Sequence, residues 1–350
     1  MTTDDARWMD NALRLGRRAL GTTAENPNVG CVIVKDGRLK GVGWTQPGGR
    51  PHAETQALAM AGEGARGATA YVTLEPCAHH GRTGPCAEAL VKAGIARVVT
   101  AIEDPDPRVS GGGHAILRQA GIAVETGQGA EQARRDMAGF FTRILKGRPQ
   151  VILKMAVSAD HMISGGVGQR TAISGPEARA RVHLLRAQCD AILVGMGTVL
   201  ADDPELTCRL PGLESRSPKP FALSRTGRLP PASHLAQSGA EVLRASVPEV
   251  LAELAARGIN RLMVEGGARV ARSFLEAGMV DQFHLIRAKK SLGSGGVAVL
   301  AGLPLDQALQ PFQMVEQERL GDDLLTVYET SQQESPSPVR RMGEGGRQAG

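Results

Sequence analysis

Aromatic residues are scarce, 3% of 350 positions, too few to build the stacking platforms on which single-stranded nucleic acid lies. Charge of one sign is also missing: the formal balance is only +5, with acids and bases interspersed, so no basic face announces a polynucleotide partner. No apolar run approaches the ~20 residues needed to span a bilayer. The start, Met1-Thr2-Thr3-Asp4-Asp5, is acidic and leads into an amphipathic pattern, unlike a signal or transit peptide. Nucleic acid and membrane are therefore set aside as partners, and the cytoplasm is the expected compartment. Cysteines number five, an odd count with no secretory segment, which argues against a disulfide framework and for thiols used in another way.

What is present is concentrated in His52-Ala53-Glu54, Pro76-Cys77 and Cys86. A catalytic zinc takes three protein ligands and keeps a fourth position for water, whose pKa it lowers to about 7. His52, Cys77 and Cys86 supply the three ligands. Glu54, two residues from the histidine, is close enough to carry a proton from water to a departing amino group without being a ligand itself. Zinc deaminases of nucleobases place two residues between their cysteines. Here eight intervene, Ala78-His79-His80-Gly81-Arg82-Thr83-Gly84-Pro85, a polar loop able to reach a charged substrate. The alternative is a closed structural zinc site with His79 or His80 as fourth ligand.

The length allows two domains, each with its own core. Short apolar strands alternate with helical periodicity, the pattern of α/β architecture. Helices are expected at residues 8–20, from His52 and at 86–93, with strands at 30–34, ending near Trp44, at 71–74 and at 97–101. Two helix starts then meet over one strand end, and their amides and dipoles favour thiolate. The first domain spans residues 1–127, with a helical connection at 128–148. A second α/β unit runs over 149–330, with strands at 151–155, 190–194 and 261–264 and a helix at 176–188. Glycine turns at Gly195-Met196-Gly197-Thr198 and Glu265-Gly266-Gly267-Ala268-Arg269 follow two of these strands. Such turns let a backbone approach a phosphate, or merely reverse the chain. Residues 331–350, rich in Ser, Pro, Gly and Arg, read as a disordered tail.

The motifs Asn26-Pro27-Asn28-Val29-Gly30-Cys31-Val32, His52-Ala53-Glu54, Glu75-Pro76-Cys77 through Cys86 and Asp104-Pro105-Asp106-Pro107 resemble those of the bifunctional riboflavin-biosynthesis deaminase/reductase family. In the second half Gly175-Pro176-Glu177-Ala178-Arg179, Gly197-Thr198-Val199-Leu200-Ala201-Asp202-Asp203-Pro204 and Val264-Glu265-Gly266-Gly267 are similar to its reductase part. The resemblance covers residues 5 to about 330. It implies a cytidine-deaminase-like three-layer domain followed by a dihydrofolate-reductase-like domain. It also implies hydrolytic deamination of a diamino-pyrimidinone carrying a ribosylamino 5-phosphate, then NADPH-dependent reduction of the ribose to a ribityl chain. Zinc and NADPH are the implied cofactors, and a homo-oligomer is expected. Carried over by position, Asn26, His79, Arg82 and Asp104 would bind the deaminase substrate, and Arg186, Leu206, Arg209 and Glu265 the reductase substrate. Ala156, Thr198, Asp202 and the run Gly267, Ala268, Arg269, Val270, Ala271, Arg272 and Ser273 would meet NADPH.

Two departures fall in the second half. The family's Ser-Leu-Asp-Gly-Arg reads Ser158-Ala159-Asp160-His161-Met162 here, and a tryptophan common in some members corresponds to Ala172. The stretch from Phe221 to Val242 is short, with Ser224-Arg225-Thr226-Gly227-Arg228 where a strand and a further βα unit are expected. A missing strand would leave the sheet edge or cofactor wall incomplete. These departures make a deaminase with a degenerate reductase domain the first alternative; a nucleic-acid base deaminase is a separate one.

Overall fold

Strand pairing separates the chain into two sheets, described by a computed structural model for residues 3–330 except 81–83, 107–108, 169–170 and 294. The expected tail at 331–350 lies outside the described residues. The first part contains α1 (Thr3–Arg17), β1 (Gly30–Lys35), β2 (Arg38–Trp44), α2 (Ala53–Ala61), β3 (Thr69–Val72), α3 (Cys86–Lys92), β4 (Arg97–Thr100), α4 (Gly112–Gln119), β5 (Ala123–Thr126), α5 (Ala130–Asp136) and α6 (Ala138–Lys146). Its sheet runs β2-β1-β3-β4-β5, antiparallel on either side of β1 and parallel from β3 onward.

The three layers follow from side-chain alternation along β1. Cys31 pairs with Gly43 and Ile33 with Gly41, and this face lies against α2. Gly30 points the other way, toward the carbonyl of Ala12 in α1. A Cβ on Gly43 would lie 2.1 Å from the Ala53 carbonyl oxygen, so only glycine lets α2 approach this closely. That contact fixes the turn of helix carrying His52 and Glu54. The connection expected at 128–148 consists of α5 and α6, and Ala133 and Met137 are buried in the first core.

The second part contains β6 (Gln150–Val157), β7 (Met162–Ser164), α7 (Pro176–Ala187), β8 (Ala191–Gly195), α8 (Met196–Asp202), β9 (Lys219–Leu223), α9 (His234–Gln237), β10 (Glu241–Leu243), α10 (Val247–Ala256), β11 (Arg261–Val264), α11 (Ala268–Glu276), β12 (Gln282–Arg287), β13 (Val297–Ala298), α12 (Leu305–Leu309), β14 (Phe312–Leu320) and β15 (Asp323–Thr330). The sheet order is β10-β9-β8-β11-β6-β12-β15-β14, parallel from β10 to β12 and antiparallel at β15 and β14. Along β8, Ala191 and Leu193 enter one core and Ile192 and Val194 the other. A central parallel strand covered on both faces requires such an uninterrupted apolar run.

Two expectations need correction. The short stretch after Phe221 lacks no strand: β9 and β10 both form and pair in parallel, completing that edge. Their connection is economical because α9 is a single turn, capped by the Ser233 side chain accepting from the Ala236 amide. The turn expected at Gly195–Thr198 is instead the start of α8, with Gly195 in extended backbone as its N-cap. His161, which stands where the related pattern has glycine, adopts φ +60°. Glycine enters that left-handed region without the cost a Cβ carries, which accounts for the family residue.

Candidate active sites

His52 is the N-cap of α2, Glu54 lies in that helix's first turn, and Cys86 opens α3. His52 Nδ1 lies 3.3 Å from Cys86 Sγ and 3.7 Å from Cys77 Sγ, and the Cys86 amide donates to Cys77 Sγ at 3.3 Å. The three donor atoms all fall within 4.8 Å of one another. One imidazole nitrogen and two sulfurs facing a common point are a donor set that suits zinc. Hydrogen bonding from Cys86 is the chief cause that holds the Cys77 thiol down to about 4, with burial opposing it. The same contact and burial push Cys86 up. Thiolates are the form in which cysteines bind a cation, so metal binding here would release protons.

Glu54 is only 4% exposed, and burial is the main cause that lifts its carboxyl to about 7, with the charge of Cys77 adding to it. A cavity of about 380 Å³ opens in front of it. Asn26, His79 and Asp104 line this cavity together with His52, Glu54 and Cys77, so the structure gathers these expected substrate contacts at one place. Burial raises the Asp104 carboxyl. Arg82 lies outside the described residues.

In the second half, parallel strands β8 and β11 end side by side and each leads into a helix, α8 or α11. Gly267 caps α11 and its amide donates to Thr198 Oγ1 in α8 at 3.0 Å. Gly195 and Gly266 leave room for α11 to approach the strand ends: a Cβ on Gly195 would lie 2.5 Å from Val270 Cγ2. Two helix starts at the carboxyl edge of a parallel sheet form a cradle for anionic groups. Beside it Glu265 accepts from Arg186 Nη2 at 2.8 Å and from Lys154 Nζ at 3.1 Å, and Arg186 also donates to the Thr207 carbonyl at 2.9 Å. Burial would raise the Glu265 carboxyl, but Lys154 and then Arg186 overcome it and hold it at about 2.

The comparisons with known proteins agree with both halves. Residues 2–102 match the cytidine and deoxycytidylate deaminase zinc-binding region, and residues 149–326 match the RibD C-terminal domain. The riboflavin biosynthesis protein RibD of Escherichia coli is 40% identical, with 91% of this chain and 98% of that protein covered. Its Aquifex aeolicus counterpart is 38% identical, over 93% and 98%. The chain belongs to the bifunctional riboflavin-biosynthesis deaminase/reductase family. Among solved structures, Acinetobacter baumannii RibD superposes with a TM-score of 0.87 at 38% identity, covering 94% of this chain and 99% of that one. A Thermotoga maritima protein described as a diaminohydroxyphosphoribosylaminopyrimidine deaminase/5-amino-6-(5-phosphoribosylamino)uracil reductase gives 0.86 at 34% identity, over 94% and 99%. The chain is thus a deaminase with a zinc-binding centre joined to a reductase, in a cytidine-deaminase-like and a dihydrofolate-reductase-like domain. No helix among the described residues is long and apolar enough to cross a membrane.

The remaining expected residues of this deaminase/reductase fall in different settings. Ala156 is half-buried on β6, and Asp202 is the last residue of α8. Leu206, at φ +58°, is buried in the core. Arg209 is half-exposed and bound to Glu205 at 2.7 Å. Ala268 and Ala271 are buried, and Val270 packs against Gly195. Arg272 pairs with Glu276, the Ser273 hydroxyl donates to the Val270 carbonyl, and Arg269 is exposed.

Sequence reasoning passed over Lys154, although a lysine inside the otherwise apolar run Val151-Ile152-Leu153-Lys154-Met155 was a usable signal. It also passed over Glu75, which accepts amides of Asp104, Gly111, Gly113 and His114 at 2.8–3.2 Å and so anchors the segment carrying Asp104. Phe140 and Ile144 of α6 complete the deaminase cavity, and no local motif marks them.

The Glu265 cluster predicts a pH-dependent stability difference. A carboxyl depressed from its ordinary 4.5 to about 2 stabilises the fold above 4.5 and loses that contribution as pH falls through about 2. Glu265→Gln should therefore cost most near neutrality, with the gap from the parent narrowing between pH 4.5 and 2. Denaturant unfolding of both chains across that range reads it, and a gap that stays constant contradicts the assignment.

Proposed function

We propose that the first site deaminates 2,5-diamino-6-(5-phosphoribosylamino)pyrimidin-4(3H)-one and that the second reduces the ribose of the product with NADPH. The observation that carries the first half is Glu54, buried beside the His52, Cys77 and Cys86 cluster and lining the cavity, with burial lifting its carboxyl to about 7. Bound zinc would supply Lewis acidity and a more acidic water. Glu54 takes a proton from the attacking water and delivers it to the amino nitrogen, which leaves as ammonia while oxygen takes its place on the ring. Asn26 and Asp104 offer a donor/acceptor edge to the pyrimidine, and His79 a hydrogen-bonding group for the phosphate, with Arg82 joining it as the family resemblance implies.

The cradle between α8 and α11 supports a dinucleotide, and its neighbourhood favours the phosphorylated form. The loop after β9 places Gly227 against Met196 at the start of α8, and exposes Arg225 and Arg228 beside it. Arginines at this edge can receive a 2′-phosphate. The cluster of Lys154, Glu265 and Arg186 then faces the sugar to be reduced. Incubation with the diaminopyrimidinone, with and without NADPH, tests the whole reading by product mass. Exchange of NH for O is expected first, and gain of two hydrogens only with the cofactor. No mass change with zinc-loaded protein would overturn the substrate reading.

The cofactor preference is a separate expected result. NADPH should bind at least tenfold more tightly than NADH, because one charge-assisted phosphate contact is worth about 1.5–3 kcal/mol. Replacing Arg225 and Arg228 together by alanine should narrow that ratio. Fluorescence titration of both nucleotides reads it, and equal affinities in the parent chain would refute it.

A further inference from the structure

The cavity wall formed by Glu25, Asn26 and Pro27 is held by groups outside the first domain's sheet. Asn260, just before β11 in the second domain, donates from Nδ2 to the Ala24 carbonyl at 2.8 Å and to the Asn26 carbonyl at 3.3 Å. Arg143 of α6 donates to the carbonyl between them, that of Glu25, at 2.6 Å, and to Asn260 Oδ1 at 2.7 Å. Three consecutive carbonyls are thus engaged from one side. Asn260 is itself fixed, with its side chain buried, its amide donating to Asp190 Oδ2 at 3.0 Å and its carbonyl accepting from the Gln150 amide at 2.8 Å. Arg143 also lies 5.9 Å from the Phe140 ring centre, on the helix whose Phe140 and Ile144 close the same cavity.

We infer that Asn260, a residue of the reductase domain, is a positioning residue for the deaminase substrate, acting with Arg143 to hold the wall at residues 24–26. It touches no reacting atom. Its effect passes through the backbone that presents Asn26 to the pyrimidine. The Asn26 carbonyl also accepts from the Thr23 hydroxyl at 2.7 Å, so losing Asn260 releases chiefly the Ala24 carbonyl; a wall loosened there must be ordered again on each binding event, which weakens binding more than chemistry. Asn260 also immediately precedes the strand whose carboxyl end delivers Glu265, through Leu262, Met263 and Val264, all fully buried. One rigid strand therefore has the deaminase wall at its start and the reductase cluster at its end. Completeness of the first site depends on the second domain.

This inference rests on the deaminase reading of the cavity, so the test uses the full chain, zinc-loaded, with the diaminopyrimidinone ribosyl phosphate. Asn260→Ala is expected to raise the KM for deamination about tenfold, equivalent to about 1.4 kcal/mol, since both side-chain hydrogen bonds to the wall and the one accepted from Arg143 are lost. Deaminase kcat should stay within about twofold, because Glu54 and the metal ligands are untouched. Zinc content and NADPH oxidation with deaminated substrate should match the parent chain. Arg143→Met keeps the aliphatic packing on Phe140 and removes the donors to Glu25 and Asn260. It should give the same KM shift, and it carries the test if Asn260→Ala does not fold. An unchanged KM in the variants overturns the inference, and so does a parallel fall of both activities, which marks general damage. A parent chain that fails to deaminate this compound refutes the substrate reading instead.

Discussion

Glu54→Gln is expected to retain its metal and lose deaminase turnover by about 10²–10⁴-fold, the range general acid/base groups typically contribute. The amide has the shape of the carboxyl and fits the same place in the first turn of α2, so the cluster of His52, Cys77 and Cys86 keeps its geometry. What it cannot do is accept a proton. The parent carboxyl suits a group that must both take and return one, because burial has brought it to about 7, where neither form is costly at neutral pH. KM should change far less than kcat, since the group acts on the transition state. Reduction of separately supplied deaminated substrate should be unaffected, because the second domain has its own cores. Turnover near the parent rate, measured with metal content on the same sample, would remove Glu54 from the role.

Much of this site was legible because its chemistry is written in short spacings. His52 and Glu54 are two residues apart on one helix start, and Cys77 and Cys86 frame a single loop, so ligand identity needed no tertiary information. The alternation of apolar strands and helices likewise gave both domains. The parts not legible depend on distant packing. Phe140 and Ile144 reach the cavity only because α5 and α6 fold back on the first core, and Asn260 reaches it across the domain boundary. The shortened stretch after Phe221 misled for a related reason. A strand of three residues, Glu241–Leu243, carries too little periodicity to be seen, yet three backbone pairings with β9 are enough to finish a sheet edge.

Replacing one metal ligand should have a different signature from replacing Glu54. Cys86→Ser is expected to lose zinc, deamination and first-domain stability together, with metal affinity falling by more than the 10–100-fold typical of second-layer partners. A serine hydroxyl is a poor substitute for thiolate toward zinc. The structural loss follows from the loop. Cys77 and Cys86 are linked by the Cys86 amide to Cys77 Sγ at 3.3 Å, by the Ala87 amide to the Cys77 carbonyl at 3.2 Å and by their shared approach to His52. A cation held by all three side chains joins the start of α2, the end of the β3 segment and the start of α3. Its removal frees those elements from one another, so thermal unfolding of the first domain should shift downward while reductase activity on deaminated substrate persists. Chelator treatment of the parent chain should reproduce the shift, and zinc should restore it in the parent but not in Cys86→Ser. Tight, stoichiometric zinc surviving in that variant would show that Cys86 is not a ligand, and would return His79 or His80 to consideration for the third position.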